Sequence, residues 1–118
     1  MNTFNSWQWQ LANRVTTVTS LAEYITVDEK LAQDISTAEK RFKWAITPYY
    51  ASLMDKHDPN CPIRMQAIPS IAETCDIGSP DPLHEENQSP TPGLIHRYPD
   101  RVALTASSEC AMYCRHCT

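Results

Sequence analysis

The sequence predicts an α/β protein with a mainly helical N-terminal arm, followed by one short strand and a cysteine-rich loop. Three observations lead to this prediction. The first 75 residues carry an apolar stripe and helix-capping patterns, residues 76–100 are rich in proline, and a short apolar run precedes three closely spaced cysteines. The predicted organisation is a helical region (1–75), a proline-rich extended wrap (76–100), and a strand with its following loop (101–118).

Composition and charge exclude several classes of protein. The chain has 118 residues, which is the size of one domain, and a formal net charge of -4. Its pI is about 5.4 and no basic stripe is visible, which argues against a nucleic-acid partner. No apolar run approaches the roughly 18 residues of a membrane span, and no signal peptide opens the chain. The sequence therefore predicts a cytoplasmic protein with no membrane partner.

Several local patterns predict helices in the first region. Trp7, Leu11 and Val15 follow one another at helical spacing and form one apolar stripe. The stretches that begin at Thr26 and at Ser36 each match the capping box, in which a hydroxyl residue is followed three positions later by glutamate. We therefore predict a helix at residue 7 and helix starts near Thr26 and Ser36.

The helix that begins near Ser36 is expected to turn Phe42, Ala45 and Ile46 toward a core. It should end before the pair at 47–48, where threonine as a cap and proline at the first helical position predict a new start. That last helix is expected to run as far as Met54. The region to about residue 74 is thus predicted to be helical.

The amino-acid composition changes after Cys75, where prolines become frequent. Five of the nine prolines and both glycines lie between Cys75 and Pro99, which is typical of an extended segment. So long a segment is uncommon in a compact domain unless it is functional or packs along something larger. The apolar run 101–107 that follows predicts a short strand.

The chemistry predicted from this sequence rests on three cysteines near its end. The chain has five cysteines, of which Cys110, Cys114 and Cys117 fall at C-x3-C-x2-C spacing. An odd, clustered set fits thiolate ligands in a reducing compartment better than a disulfide framework. Three sulfurs on one 4Fe–4S cluster leave one iron open to a small molecule, whereas structural zinc is normally closed by four ligands. His116 would be the fourth zinc ligand in that alternative interpretation.

The cysteine text and several blocks upstream resemble one known family. The cysteine text is CAMYCRHCT (110–118), and the blocks are WQWQL (7–11), AITPYY (45–50), DPLHE (81–85), PGL (92–94) and HRYPDR (96–101). Their content and order resemble the N-terminal part of the lysine 2,3-aminomutases, which are radical S-adenosylmethionine (SAM) enzymes. The resemblance implies that the predicted strand is the first strand of an incomplete radical SAM (β/α) partial barrel.

The resemblance also implies an activity, an isomerase that moves an α-amino group to the β-carbon. It implies a 4Fe–4S cluster, SAM and pyridoxal 5'-phosphate (PLP) as cofactors, acting through a 5'-deoxyadenosyl radical and a PLP aldimine. Lysine is the first substrate expected, with glutamate or arginine as alternatives in the same family. A non-catalytic zinc-binding module is the alternative from a different class.

Seven residues receive roles from the resemblance. Cys110, Cys114 and Cys117 are expected to ligate the cluster, and His116 is expected to lie against SAM. The PLP phosphate is expected to bind to Arg97, Tyr98 and Arg101. Guanidinium groups and a phenol hydroxyl pair well with a dianionic phosphate, which agrees with that expectation, and two solvated arginines are the plain alternative.

The resemblance implies that this chain is an N-terminal fragment with no catalytic residue of its own. The lysine that would hold PLP and the residues that would read the substrate are expected downstream. The chain alone is then expected to be inactive, because an arm and one strand cannot exclude water from a radical. The expected partners are a small amino-acid substrate, an electron donor such as flavodoxin or ferredoxin, and further copies of the protein.

Overall fold

The computed structural model describes residues 3–75 and 78–117 as a mixture of short helices and one small sheet. The α-helices are α1 (Trp7–Ala12), α2 (Val18–Leu21), α3 (Glu29–Ala38), α4 (Pro48–Ser52) and α5 (Pro62–Met65), the 3-10 helices are Thr3–Asn5, Ile71–Thr74 and Glu86–Gln88, and the strands are β1 (Leu94–Tyr98) and β2 (Arg101–Leu104). Helices together with a sheet agree with the α/β prediction. Two residues of the predicted wrap, 76 and 77, and residue 118 of the predicted loop lie outside the described residues.

The chain forms two compact units. The helical unit consists of residues 1–75 together with 110–118, and the hairpin unit consists of residues 76–109. The cysteine loop is therefore part of the helical unit, although the whole hairpin unit precedes it in sequence. In the described part of the chain, no helix is both long enough and apolar enough to cross a bilayer.

The helical unit is organised around one apolar core. Its buried members come from the helices and from the segments between them: Val15, Leu21, Ile25, Ile35, Trp44, Ile46, Ala51, Met54, Ala67 and Ile68. Val15 and Ile46 also pair through their backbones as an isolated antiparallel bridge, with N···O distances of 2.7 and 3.0 Å. Met112 of the cysteine loop packs against this core. The loop thus shares the apolar interior of the helical unit.

Two predicted helix starts are wrong, because an aspartate between them caps the helix instead. The carboxylate of Asp28 accepts a hydrogen bond from the first turn of α3 at 2.7 Å, so α3 begins after Asp28 and not at Thr26. Aspartate caps as well as threonine does, and the pattern did not choose between them. The predicted start at Ser36 lies inside α3, which ends at its C-cap Glu39.

The predicted helix through Phe42 and Ile46 is also wrong. After α3 the chain turns and becomes extended, because Ile46 pairs with Val15 instead of continuing a helix. The start at the Thr47–Pro48 pair is confirmed, since the Thr47 hydroxyl accepts from the Tyr50 amide at 3.4 Å. That helix, α4, ends at Ser52 and so stops short of the predicted end.

The apolar stripe at the start of the chain correctly predicts a helix, but most of its residues are not buried. α1 forms where expected, with Ser6 as its cap. Trp7 and Leu11 are exposed, however, with 67% and 37% of their surface accessible. Val15 is buried, but it lies beyond the end of α1.

The hairpin unit contains the predicted strand and one that the sequence did not predict. β1 and β2 pair antiparallel, with Leu94 opposite Leu104 and Tyr98 opposite Arg101, and an irregularity lies between Ile95 and Tyr98. The predicted strand is confirmed at its first four residues, which form β2. β1 was missed because the prolines around it made residues 76–100 read as one extended wrap. The two strands form a small sheet, and the larger barrel stays a prediction.

Candidate functional site

The three clustered cysteines lie in an irregular loop of the helical unit. Cys110 and Cys117 are exposed, and Cys114 is half-buried. Among the described residues none of the five cysteines forms a disulfide. His116, which was predicted to contact SAM, is exposed in the same loop. The three predicted cluster ligands and His116 are thus carried by one surface loop.

The loop is held against the helical unit at its beginning. The carbonyl oxygen of Cys110 accepts a hydrogen bond from Arg14 at 2.5 Å, and Met112 packs on the core. Burial raises the pKa of Tyr50 above its usual value, and the Cys114 and Cys61 side chains raise this pKa further.

Arg115 connects the loop to several parts of the helical unit. Its backbone N–H donates to the carbonyl of Gln66 at 2.8 Å. Its Nε donates to both carboxylate oxygens of Glu73 at 3.0 and 3.1 Å, and Nη2 also donates to that carboxylate. Nη1 donates to the carbonyl of Lys43 at 3.0 Å. The Arg115 and Glu73 side chains retain only 11% and 20% of their exposure, so this ion pair is largely removed from water.

Glu73 is itself fixed by a capping box that the sequence analysis missed. The backbone N–H of Ser70 donates to Glu73 Oε1 at 2.9 Å, and the Ser70 hydroxyl accepts from the Ala72 amide at 3.3 Å. The signal was present in the sequence, because Ser70 is followed three residues later by glutamate. The contact from Glu73 to Arg115 spans 42 residues and had no local signal.

The donor chemistry of the loop fits the 4Fe–4S cluster that the resemblance implies. Three thiols lie within eight residues of one surface loop, and thiolates are the usual ligands of such clusters. Among residues 3–75 and 78–117, no group of three or more histidine, cysteine, aspartate or glutamate side chains is already gathered into a metal site. Metal binding commonly supplies the final ordering of its ligands, so the sulfurs would converge when the cluster binds.

A second candidate site lies in the hairpin unit, where the structure brings Arg97, Tyr98 and Arg101 together. All three line one open cavity of about 210 Å³, whose other walls are Glu85, Ile95, Val102 and Ala103. The guanidinium carbon of Arg101 lies 4.1 Å from the centre of the Tyr98 ring. The three residues predicted to hold a phosphate therefore face one space. Their role as the PLP site stays a prediction.

Charges of both signs surround this cavity. Arg101 Nη1 lies 3.5 Å from Asp100 Oδ2. Both side chains are exposed, and an exposed ion pair contributes little to stability. Glu85 also lines the cavity and works against an anion there. Near the cavity wall at Glu85 in sequence, the Asp81 carboxylate accepts hydrogen bonds from the backbone N–H groups of Glu85 and Glu86. These bonds, that from Glu85 most strongly, hold the pKa of Asp81 below its usual value. Two arginines against one glutamate leave the walls net positive, which suits a phosphate.

Comparison with known proteins gives consistent matches along nearly the whole chain. It is 49% identical over 117 residues to the L-lysine 2,3-aminomutase of Clostridium subterminale and 45% identical to that of Bacillus subtilis, each over 98% of this chain. It is 43% identical to the glutamate 2,3-aminomutase of Clostridioides difficile over 97% of this chain. These alignments cover 28%, 25% and 27% of the relatives, so the chain spans about a quarter of their length. No protein-family model matches the chain.

Proposed function

The chain is a homologue of the N-terminal part of the lysine 2,3-aminomutases, as its sequence blocks predicted, and on this premise we propose that the whole protein is an amino-acid 2,3-aminomutase. The reaction would move the amino group of an α-amino acid to the neighbouring carbon. L-Lysine is the first substrate proposed, because several relatives at 45–49% identity carry that name. The similarity over 98% of the chain is the observation that carries the proposal.

In this proposal the cysteine loop binds a 4Fe–4S cluster. Cys110, Cys114 and Cys117 would be its three protein ligands, and His116 would lie beside SAM. Three thiolates on a 4Fe–4S cluster leave its fourth iron without a protein ligand, whereas a closed zinc site has no open position. Cys110, His116 and Cys117 are exposed in the loop, which would give a small molecule access to that position.

The hairpin unit would bind the phosphate of PLP in its cavity. Arg97 and Arg101 would donate charge-assisted hydrogen bonds, and Tyr98 would donate a neutral one. The ring of Tyr98 lies under Arg101 and restricts its guanidinium group, so less side-chain freedom is lost when the anion binds. When bound, the cluster with SAM supplies a radical and PLP carries the migrating amino group, while the protein orients and shields them.

Two partners belong to the same proposal. A cluster that passes single electrons needs a donor, and a small redox protein such as flavodoxin or ferredoxin would supply them. Self-association is also proposed, because large apolar side chains of the described residues remain exposed, among them Trp7 and Leu104 at 67% and 71%.

A turnover assay tests the proposed activity. The full-length protein is incubated without oxygen with SAM, PLP, a reductant and either L-lysine or L-glutamate, and products are separated by mass spectrometry. We expect β-lysine from L-lysine, none without SAM, and none with the Cys114→Ala variant. Formation of 3-aminoglutarate alone would reassign the substrate to glutamate. If neither substrate yields a β-amino acid, both assignments are wrong.

A further inference from the structure

Arg115 anchors the cysteine loop to the helical unit, although it is not one of the predicted ligands. Its partners come from three separate segments of the helical unit. Lys43 lies in the segment after α3, Gln66 is the C-cap of α5, and Glu73 belongs to the 3-10 helix Ile71–Thr74. One residue therefore ties the loop to three parts of the same unit.

The position of Arg115 in the loop gives this anchor a specific consequence. Arg115 directly follows Cys114 and precedes Cys117 by two residues. The Cys117 amide also donates to the carbonyl of Cys114 at 3.1 Å, which closes the segment between them into a tight turn. A trans peptide separates neighbouring Cα atoms by about 3.8 Å, so fixing Arg115 restricts the positions of both flanking cysteines.

The partner of Arg115 is fixed as well. Glu73 Oε1 accepts from the Ser70 amide at 2.9 Å, so the capping box holds the same carboxylate whose two oxygens bind the guanidinium. Exposed ion pairs contribute little because water and salt screen them, but this pair is mostly buried. A planar guanidinium held at three nitrogens also has a defined orientation.

We propose that Arg115 and Glu73 are positioning residues that hold Cys114 and Cys117 in place for the cluster. The inference rests on the proposed function, because it assigns the pair a role toward that cluster. Groups behind metal ligands orient them, and their removal typically weakens metal binding by roughly 10- to 100-fold. Neither side chain is expected to touch the cluster itself.

Four variants of the full-length protein separate this role from general stabilisation of the helical unit. Arg115→Ala removes the whole anchor, and Arg115→Lys keeps the charge without the planar fork. Glu73→Gln removes the charge but keeps an acceptor for the Ser70 amide, because glutamine also serves in a capping box. Lys30→Ala is the matched control, since it deletes an ion pair that lies wholly within α3. Circular-dichroism melting checks that each variant is folded at the assay temperature.

The first readout needs no cluster. The metal-free protein is treated with iodoacetamide, and mass spectrometry follows the alkylation rate of each cysteine. Freeing the loop should speed the alkylation of half-buried Cys114 several-fold in Arg115→Ala and Glu73→Gln, and less in Arg115→Lys. The rate at Cys61, which is buried elsewhere in the helical unit, should not change.

The second readout uses the protein after anaerobic reconstitution with iron and sulfide. An iron chelator is added, and loss of the cluster absorbance is followed with time. We expect the cluster to be lost roughly 10- to 100-fold faster in Arg115→Ala, as when other groups that hold metal ligands are removed, and at the unchanged rate in Lys30→Ala. Combining Glu73→Gln with Arg115→Ala should add little, because both disrupt one contact.

The outcomes separate the two proposals. Unchanged alkylation and unchanged cluster loss in folded Arg115→Lys and Glu73→Gln variants would overturn the positioning role. Faster alkylation with unchanged cluster loss would also overturn it, because the anchor would then hold the loop without serving the cluster. If the unaltered protein acquires no cluster, the proposed function fails, and the alkylation rates still report whether the loop is anchored.

Discussion

In the proposed phosphate site, single residues of the hairpin cavity would contribute different groups to holding the anion. Arg97 and Arg101 bring positive charge, whereas Tyr98 supplies a hydroxyl and a ring surface against which Arg101 lies. The sequence predicted this trio through a family resemblance and through the chemistry of the side chains. It did not predict Glu85 on the same wall, because Glu85 is twelve residues away from Arg97, the nearest of the three, in the predicted extended wrap.

Removal of an arginine from this cavity is expected to weaken PLP binding. A hydrogen bond to a charged group is worth about 1.5–3 kcal/mol, so the dissociation constant of PLP should rise about 10- to 100-fold in Arg97→Ala or Arg101→Ala. An absorbance titration of the full-length variants with PLP measures this.

The control for that titration is Arg41→Ala, which removes an arginine of the helical unit that lies over Phe42. Its PLP affinity should equal that of the unaltered protein. Inorganic phosphate should compete with PLP in the unaltered protein and less in the two cavity variants. Unchanged PLP affinity in both cavity variants would contradict a phosphate site here.

At the scale of elements, the successful predictions rest on local interactions, although local capping patterns also misplaced the start of α3. Local signals sufficed for α1 and for the start of α4, because each cap lies beside its own helix. They failed between residues 39 and 46, where the chain leaves the helical conformation to pair with Val15. A partner that is 31 residues away in sequence leaves no mark on the local pattern. The same limit hid the contact between Glu73 and Arg115.

The buried side chain of Ile46 is expected to be important for the stability of the helical unit. Ile46 has no exposed surface and belongs to the core cluster. Truncation of a fully buried isoleucine to alanine usually costs about 2–5 kcal/mol, so Ile46→Ala should lower the free energy of unfolding by that amount. Urea denaturation followed by circular dichroism measures the loss.

Leu11→Ala serves as the comparison for Ile46→Ala, since Leu11 is 37% exposed. Exposed substitutions usually change stability by no more than about 0.5 kcal/mol, and Leu11→Ala should stay near that limit. Equal effects of the two variants would contradict the central place of the Ile46 side chain in the core.

At the scale of the whole molecule, each compact unit carries one of the two predicted cofactor segments. The helical unit contains the cysteine loop, and the hairpin unit contains the arginine–tyrosine cavity. The similarity to the lysine 2,3-aminomutases could be predicted from the sequence alone, because the matching blocks are spread over nearly the whole chain. The choice between lysine and glutamate does not follow, since relatives named for each match this chain at 43–49% identity.

In the proposed function the cysteine loop binds a 4Fe–4S cluster with one iron open to SAM. Electron paramagnetic resonance of the reconstituted, reduced full-length protein, recorded with and without SAM, is the decisive test of this binding. We expect a 4Fe–4S signal that changes when SAM is added and that is absent from the Cys110→Ala, Cys114→Ala and Cys117→Ala variants. A colourless protein that retains one tightly bound zinc ion would overturn the proposed cluster.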